Sequence, residues 1–133
     1  MRETCYSFVV CVPPIAQNDK TAWEELDRIV AEPGEPPEIF RRLYGRLIAR
    51  YPSHCVVTED EFDDWVWGDA PLWDHFGHRA AVIEVTWSRI NEVLPFLIEA
   101  SNGLGLTVFD GVEEKIHRPG KGVPVDWLRR WMT

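Results

Sequence analysis

Between Thr58 and Phe76 the chain carries seven carboxylates, Glu59, Asp60, Glu61, Asp63, Asp64, Asp69 and Asp74, and no lysine or arginine. Phe62, Trp65, Trp67, Trp73 and Phe76 are interleaved with them. Carboxylates beside large aromatic rings suit a protein partner: charge steers a basic cleft into place and the rings fill its pockets. The expected partner-binding set is therefore Glu59, Asp60, Glu61, Asp63, Asp64, Trp65, Trp67, Asp69 and Asp74. A solvated loop tied to the core by its tryptophans is the plainer alternative. A calcium loop of EF-hand type is not written here, because the run lacks glycine at loop position six and glutamate at position twelve.

Other chemistry is weakly encoded. Asp74-His75-Phe76-Gly77-His78 places two histidines three apart, but no third ligand stands at a metal-site spacing. Ser53-His54-Cys55 is adjacency along the chain, not a catalytic constellation, and there is no Gly-x-Ser-x-Gly turn. The Gly103-Leu104-Gly105 stretch precedes a strand, whereas a phosphate loop follows one and opens a helix. Arg42, Arg46 and Arg50 form a stripe that reads as a solvated helix face. No catalytic residue, metal or cofactor is expected.

The 133 residues carry 14 basic and 22 acidic side chains, so the net charge is 14 − 22 = −8. Nucleic-acid binding draws most of its affinity from neutralising phosphates, which this sign disfavours. An anionic membrane surface is disfavoured for the same reason. The composition, 45% apolar and 27% charged, is that of a globular chain, and the length fits one domain over 1–133. No apolar run is long enough to span a bilayer, and Met1-Arg2-Glu3-Thr4-Cys5 does not open a signal peptide. Cys5, Cys11 and Cys55 are an odd set without a CxxC pair. Cys5 and Cys11 would sit about 20 Å apart on one straight strand, beyond disulfide reach. Free thiols point to a cytoplasmic location.

The elements that must position these residues alternate between two periods. Residues 4–12 read as a strand apolar on both faces, hence central in a sheet. Asn18 or Asp19 caps a helix to about Ala31, with Trp23, Leu26, Ile29 and Val30 inward. After Pro33-Gly34-Glu35-Pro36-Pro37 a second helix, about 38–50, repeats Ile39/Leu43/Leu47 and Phe40/Tyr44/Ile48. Residues 79–87 alternate cleanly as a strand. Ser88 opens a helix to about 102, capped by Asn102-Gly103, with Pro95 inside it. Residues 106–109 and 112–117 form a hairpin about Asp110-Gly111, the favoured type I′ dipeptide. A final helical turn or two is expected from Val125 to Met132. The order β-α-α-β-α-β-β predicts an α+β fold: a two-layer, ferredoxin-like sandwich with a mainly antiparallel four-stranded sheet and helices on one face.

Two segments carry a resemblance. Val85-Thr86-Trp87-Ser88-Arg89 with Glu92-Val93-Leu94-Pro95-Phe96 is one; Gly105-Leu106-Thr107-Val108-Phe109-Asp110 running to Ile116-His117-Arg118-Pro119 is the other. Together they resemble a group of small uncharacterised bacterial α+β proteins, over roughly residues 80–119. Where that group has Pro-Gln after the aspartate, this chain has Gly111-Val112. Small acidic proteins of this kind are similar to immunity proteins of bacterial toxin systems. With the single small domain, the net charge of −8, the acidic Trp-rich loop and the absence of catalytic motifs, the expectation is a cytoplasmic immunity protein that occludes the active cleft of a cognate toxin domain, a basic one such as a nuclease. The alternative is a small enzyme or ligand-binding domain with a pocket between sheet and loop, and a homo-oligomeric structural protein is a third.

Overall fold

The computed structural model describes residues 5–51, 67 and 72–119. Among them are four strands, β1 (Cys5–Cys11), β2 (Ala80–Thr86), β3 (Thr107–Asp110) and β4 (Lys115–His117). Three α-helices join them: α1 (Asp19–Ala31), α2 (Glu38–Arg50) and α3 (Ile90–Gly103). The chain is thus α+β, and the seven elements follow the expected order.

The strands form one open sheet in the order β2-β1-β3-β4, every pair antiparallel. β1 is hydrogen-bonded on both sides, to β2 from Cys5↔Thr86 to Cys11↔Ala80 and to β3 from Phe8↔Asp110 to Cys11↔Thr107. A strand flanked on both sides and covered on both faces is apolar on both, which is why its sequence does not alternate over residues 8–11, while Ser7, nearer its start, is exposed.

The two faces are covered by different helices. Phe8, Val10, Ala81, Ile83, Val85 and Val108 pack with Phe40, Leu43 and Leu47 of α2 and Val93 and Leu97 of α3. Cys11, Ala80 and Phe109, on the opposite face, pack with Ala22 and Ile29 of α1. Helices on one face hold therefore for α2 and α3 only. Val9 and Cys11 make the second face of β1 apolar enough to need a cover of its own, and α1 supplies it. Val30 of the expected inward stripe is 39% exposed, and Ala22 takes the buried position instead.

The helix ends are set locally. Asn18 Oδ1 accepts the Thr21 backbone N–H at 3.0 Å and caps α1. Asn18→Ala is expected to cost about 1 kcal/mol of stability, read as a lowered urea midpoint at unchanged slope. The left-handed residue that closes α3 stands two positions later than Asn102-Gly103 suggests. Leu106 N–H donates to Ser101 O at 2.9 Å and Gly105 N–H to Asn102 O at 3.0 Å, with Gly105 at φ 79°. This is a Schellman ending with Gly105 in the left-handed position, which costs glycine no steric penalty.

The β3–β4 hairpin also departs from the expected turn. Asp110 pairs with Lys115, so four residues, 111–114, make the connection. A type I′ turn needs positive φ at both central residues, yet here Glu114 at φ 56° is the left-handed one and Gly111 is not. Asp110 Oδ1 accepts the backbone N–H of Val112 at 2.9 Å and of Glu113 at 3.2 Å. The aspartate side chain thus organises the turn that glycine was expected to make.

The C-terminal helical turns expected over 125–132 lie outside the described residues. No described helix is long and apolar enough to cross a membrane.

Candidate functional site

Of the expected partner-binding set, Glu59, Asp60, Glu61, Asp63, Asp64, Trp65 and Asp69 lie outside the described residues. The structure places the other two. Asp74 is exposed, on a short 3-10 turn (Leu72–His75). Trp67 is only 2% exposed. Its Nε1–H donates to Tyr51 O at 2.7 Å, its ring meets the Tyr51 ring edge-on, and its backbone bridges to Val85 of β2. An indole that spends its ring on the core and its N–H on a carbonyl has neither left for a partner. Trp67 is corrected from partner anchor to core anchor. Trp73 is likewise engaged: it stacks on Phe76 at 5.0 Å, meets Tyr44 at 5.2 Å and lies under the Arg41 guanidinium.

These contacts fix the borders of the acidic segment. Tyr51 and Trp67, which bracket residues 52–66, are hydrogen-bonded to each other. On the far side, Leu72 and Phe76 are buried, and Phe76 bridges to Ala81 of β2. The outer edge of β2 is thereby bridged near both of its ends, at Val85 and at Ala81.

Beside Tyr51 lies a polar cluster that sequence spacing did not suggest. Tyr51 O–H donates to Glu92 Oε2 at 3.0 Å, Arg89 Nε donates to Glu92 Oε1, and Arg50 Nε donates to the Tyr51 hydroxyl at 3.3 Å. The hydrogen bond from Arg89, then that from Tyr51, holds the Glu92 carboxyl below its ordinary value of 4.5. A carboxyl lowered in the folded state stabilises it above the unfolded value, and that stability is lost as pH falls through the lower folded value. Glu92→Gln is therefore expected to be less stable than the parent at neutral pH, and the two denaturation midpoints should converge as the pH drops below 4.5. Parallel midpoints over that range would contradict it.

A cavity of about 380 Å³ opens at one end of the sheet. Its position follows from the register. Tyr6 and Phe8 share one face of β1, and Asp110, paired with Phe8, ends β3 on that same face. Here the first turns of α3, with Ile90, Leu94 and Pro95, roof the sheet without filling the space above it. Trp87 also lines it, its ring centroid 4.1 Å from that of Tyr6. Asp110 lines the space although only 2% exposed, and Glu113 stands beside it. Sequence reading missed this site because it assigned Trp87 to a strand face and Asp110 to a glycine turn. The available signal was an aspartate before a run of turn residues, since such a side chain readily binds its own backbone.

Cys11 is free and buried, and burial pushes its thiol up to about 12 despite nearby Arg79, so it is protonated at neutral pH. Among the described residues, no group of three or more His, Cys, Asp or Glu side chains is placed to hold a metal ion. His78 instead donates from Nδ1 to Glu35 O at 2.9 Å. Its ring lies where a Cβ on Gly34 (φ 135°) would stand, so that position requires glycine. Arg42, Arg46 and Arg50 are all exposed on α2.

No protein-family model, no curated protein and no solved structure matches this chain.

Proposed function

We propose that the chain is an immunity protein, which binds a cognate toxin domain and occludes its active cleft with the carboxylates of the 58–76 segment. The observation that carries this reading is charge: net −8 overall, with seven carboxylates and no lysine or arginine over that segment. A cleft built to hold phosphates, such as a nuclease's, is basic, and an acidic inhibitor reaches it quickly through steering. The Tyr51–Trp67 hydrogen bond supports the reading, because it ties both borders of residues 52–66 to one point on the body. Segments tied at their ends lose less conformational entropy on binding. Cysteine usage favours the cytoplasm as the place of action. At the level of architecture, the open antiparallel sheet with α2 and α3 on one face is the part of the ferredoxin-like proposal we retain.

The test is capture on the tagged chain from its native host's lysate at low and moderate salt. A stoichiometric basic protein, whose own enzymatic activity is lost in the complex, is the expected result. A partner that keeps its activity when bound, or no stoichiometric partner, contradicts the reading.

A second reading, a small ligand-binding domain, is favoured by one observation: the cavity between Tyr6, Trp87 and Asp110. Its volume, about 380 Å³, falls within the ordinary range of small-molecule sites.

A further inference from the structure

We infer that this cavity binds a free small organic cation, an ammonium or guanidinium group on a short aliphatic stem. The inference rests on the ligand-binding reading and gives it a chemical class. Three observations converge on it.

The first is the charge of the lining. Asp110 and Glu113 both line the cavity, and no lysine or arginine is among its described lining residues. Nor does any described lysine or arginine make an ion pair with Asp110. Oδ1 of Asp110 takes two backbone N–H groups, which fixes the carboxylate in place without supplying a full counter-charge. A carboxylate that is 2% exposed and makes no ion pair with a described lysine or arginine, its cross-strand neighbour Lys115 included, favours a cation brought to it.

The second is the wall. Tyr6 and Trp87 are tilted against each other at 51°, and Phe8 meets Tyr6 edge-on at 6.1 Å. Aromatic faces beside a carboxylate attract cations through their quadrupoles, most strongly for tryptophan.

The third is exposure. Of the three large apolar side chains that stand exposed among the described residues, Trp87 at 54% and Val112 at 51% both line this one cavity. Exposed apolar groups gathered at one mouth mark a contact site more strongly than scattered ones. Ile90 and Leu94 would sheathe an aliphatic stem, and Asn91 offers an amide at the side.

The probes are butylguanidinium, its neutral isostere butylurea and the anion butyrate, titrated into the intact chain and followed by amide and indole NMR shifts. Saturable shifts with butylguanidinium at Trp87 and the 110–113 amides, and much weaker binding of the other two, are expected. Asp110→Asn keeps an oxygen for the Val112 and Glu113 N–H groups and removes the charge, so the turn is preserved. It should weaken butylguanidinium at least about tenfold. Trp87→Leu, at an exposed position, should weaken it about threefold. Equal binding of butylurea, or unchanged affinity in Asp110→Asn, overturns the cation assignment while leaving the cavity a ligand site. Absence of saturable shifts with all three probes overturns both. Shifts confined to residues away from the cavity overturn the placement.

Discussion

Replacing Trp67 with alanine is expected to destabilise the fold by about 3–5 kcal/mol, the usual cost of emptying a large aromatic position in a core. Trp67 is among the largest fully buried side chains and packs in the same cluster as Val85 and Tyr51. Its removal also strips the Tyr51 carbonyl of the donor that reaches it at 2.7 Å. A buried acceptor left unpaired adds about 1–3 kcal/mol, part of which the first figure already contains. For a chain of this size the melting temperature should fall by roughly 10–20 °C. Trp67→Phe refills most of the volume but not the hydrogen bond, so it should lie between the parent and alanine. Urea denaturation of the three proteins measures this directly. A loss below about 1 kcal/mol for alanine would mean that the position collapses freely and that the segment is not pinned there.

The second large effect concerns charge. Asp63→Lys with Asp64→Lys changes the net charge from −8 by four units, within the stretch proposed to meet the partner. Steering of oppositely charged proteins raises association rates by about 10–10³ at low salt. The double variant should associate with a basic partner at least about tenfold more slowly in low salt, and the difference should shrink as salt screens it. Thermal stability should stay close to the parent's, since charge sets association and not the fold. Stopped-flow mixing at two ionic strengths gives both rates; an unchanged on-rate would remove these carboxylates from the interface.

The elements were largely readable because each writes its burial into a period. Leu43 and Leu47 of α2, and Val93 and Leu97 of α3, lie four apart and are buried, as helical spacing requires. The doubly apolar β1 could be assigned to the sheet centre for the same reason. Sidedness was harder. Nothing in the Trp23 and Leu26 pattern of α1 says which face of the sheet it covers; that depends on Val9, Cys11 and Phe109 offering a second apolar face.

The site was less legible than the fold. An acidic and aromatic segment announces charge, but it does not say which rings turn inward. Trp67 turned inward because a buried carbonyl, that of Tyr51, needed its N–H. That need arises from packing between residues sixteen positions apart, which no local spacing records. The cavity was hidden for a related reason. Tyr6, Trp87 and Asp110 come from three elements and meet only through the β1–β3 register and the entry of α3.

The central claim, neutralisation of a toxin, is tested most directly in growing cells. The captured partner would be expressed alone, with this chain, and with the Asp63→Lys/Asp64→Lys variant. The account predicts arrested growth with the partner alone, restored growth with the parent chain, and weaker protection by the variant at matched protein level. Growth that is unaffected by the partner, or that stays arrested although the complex forms, would contradict it.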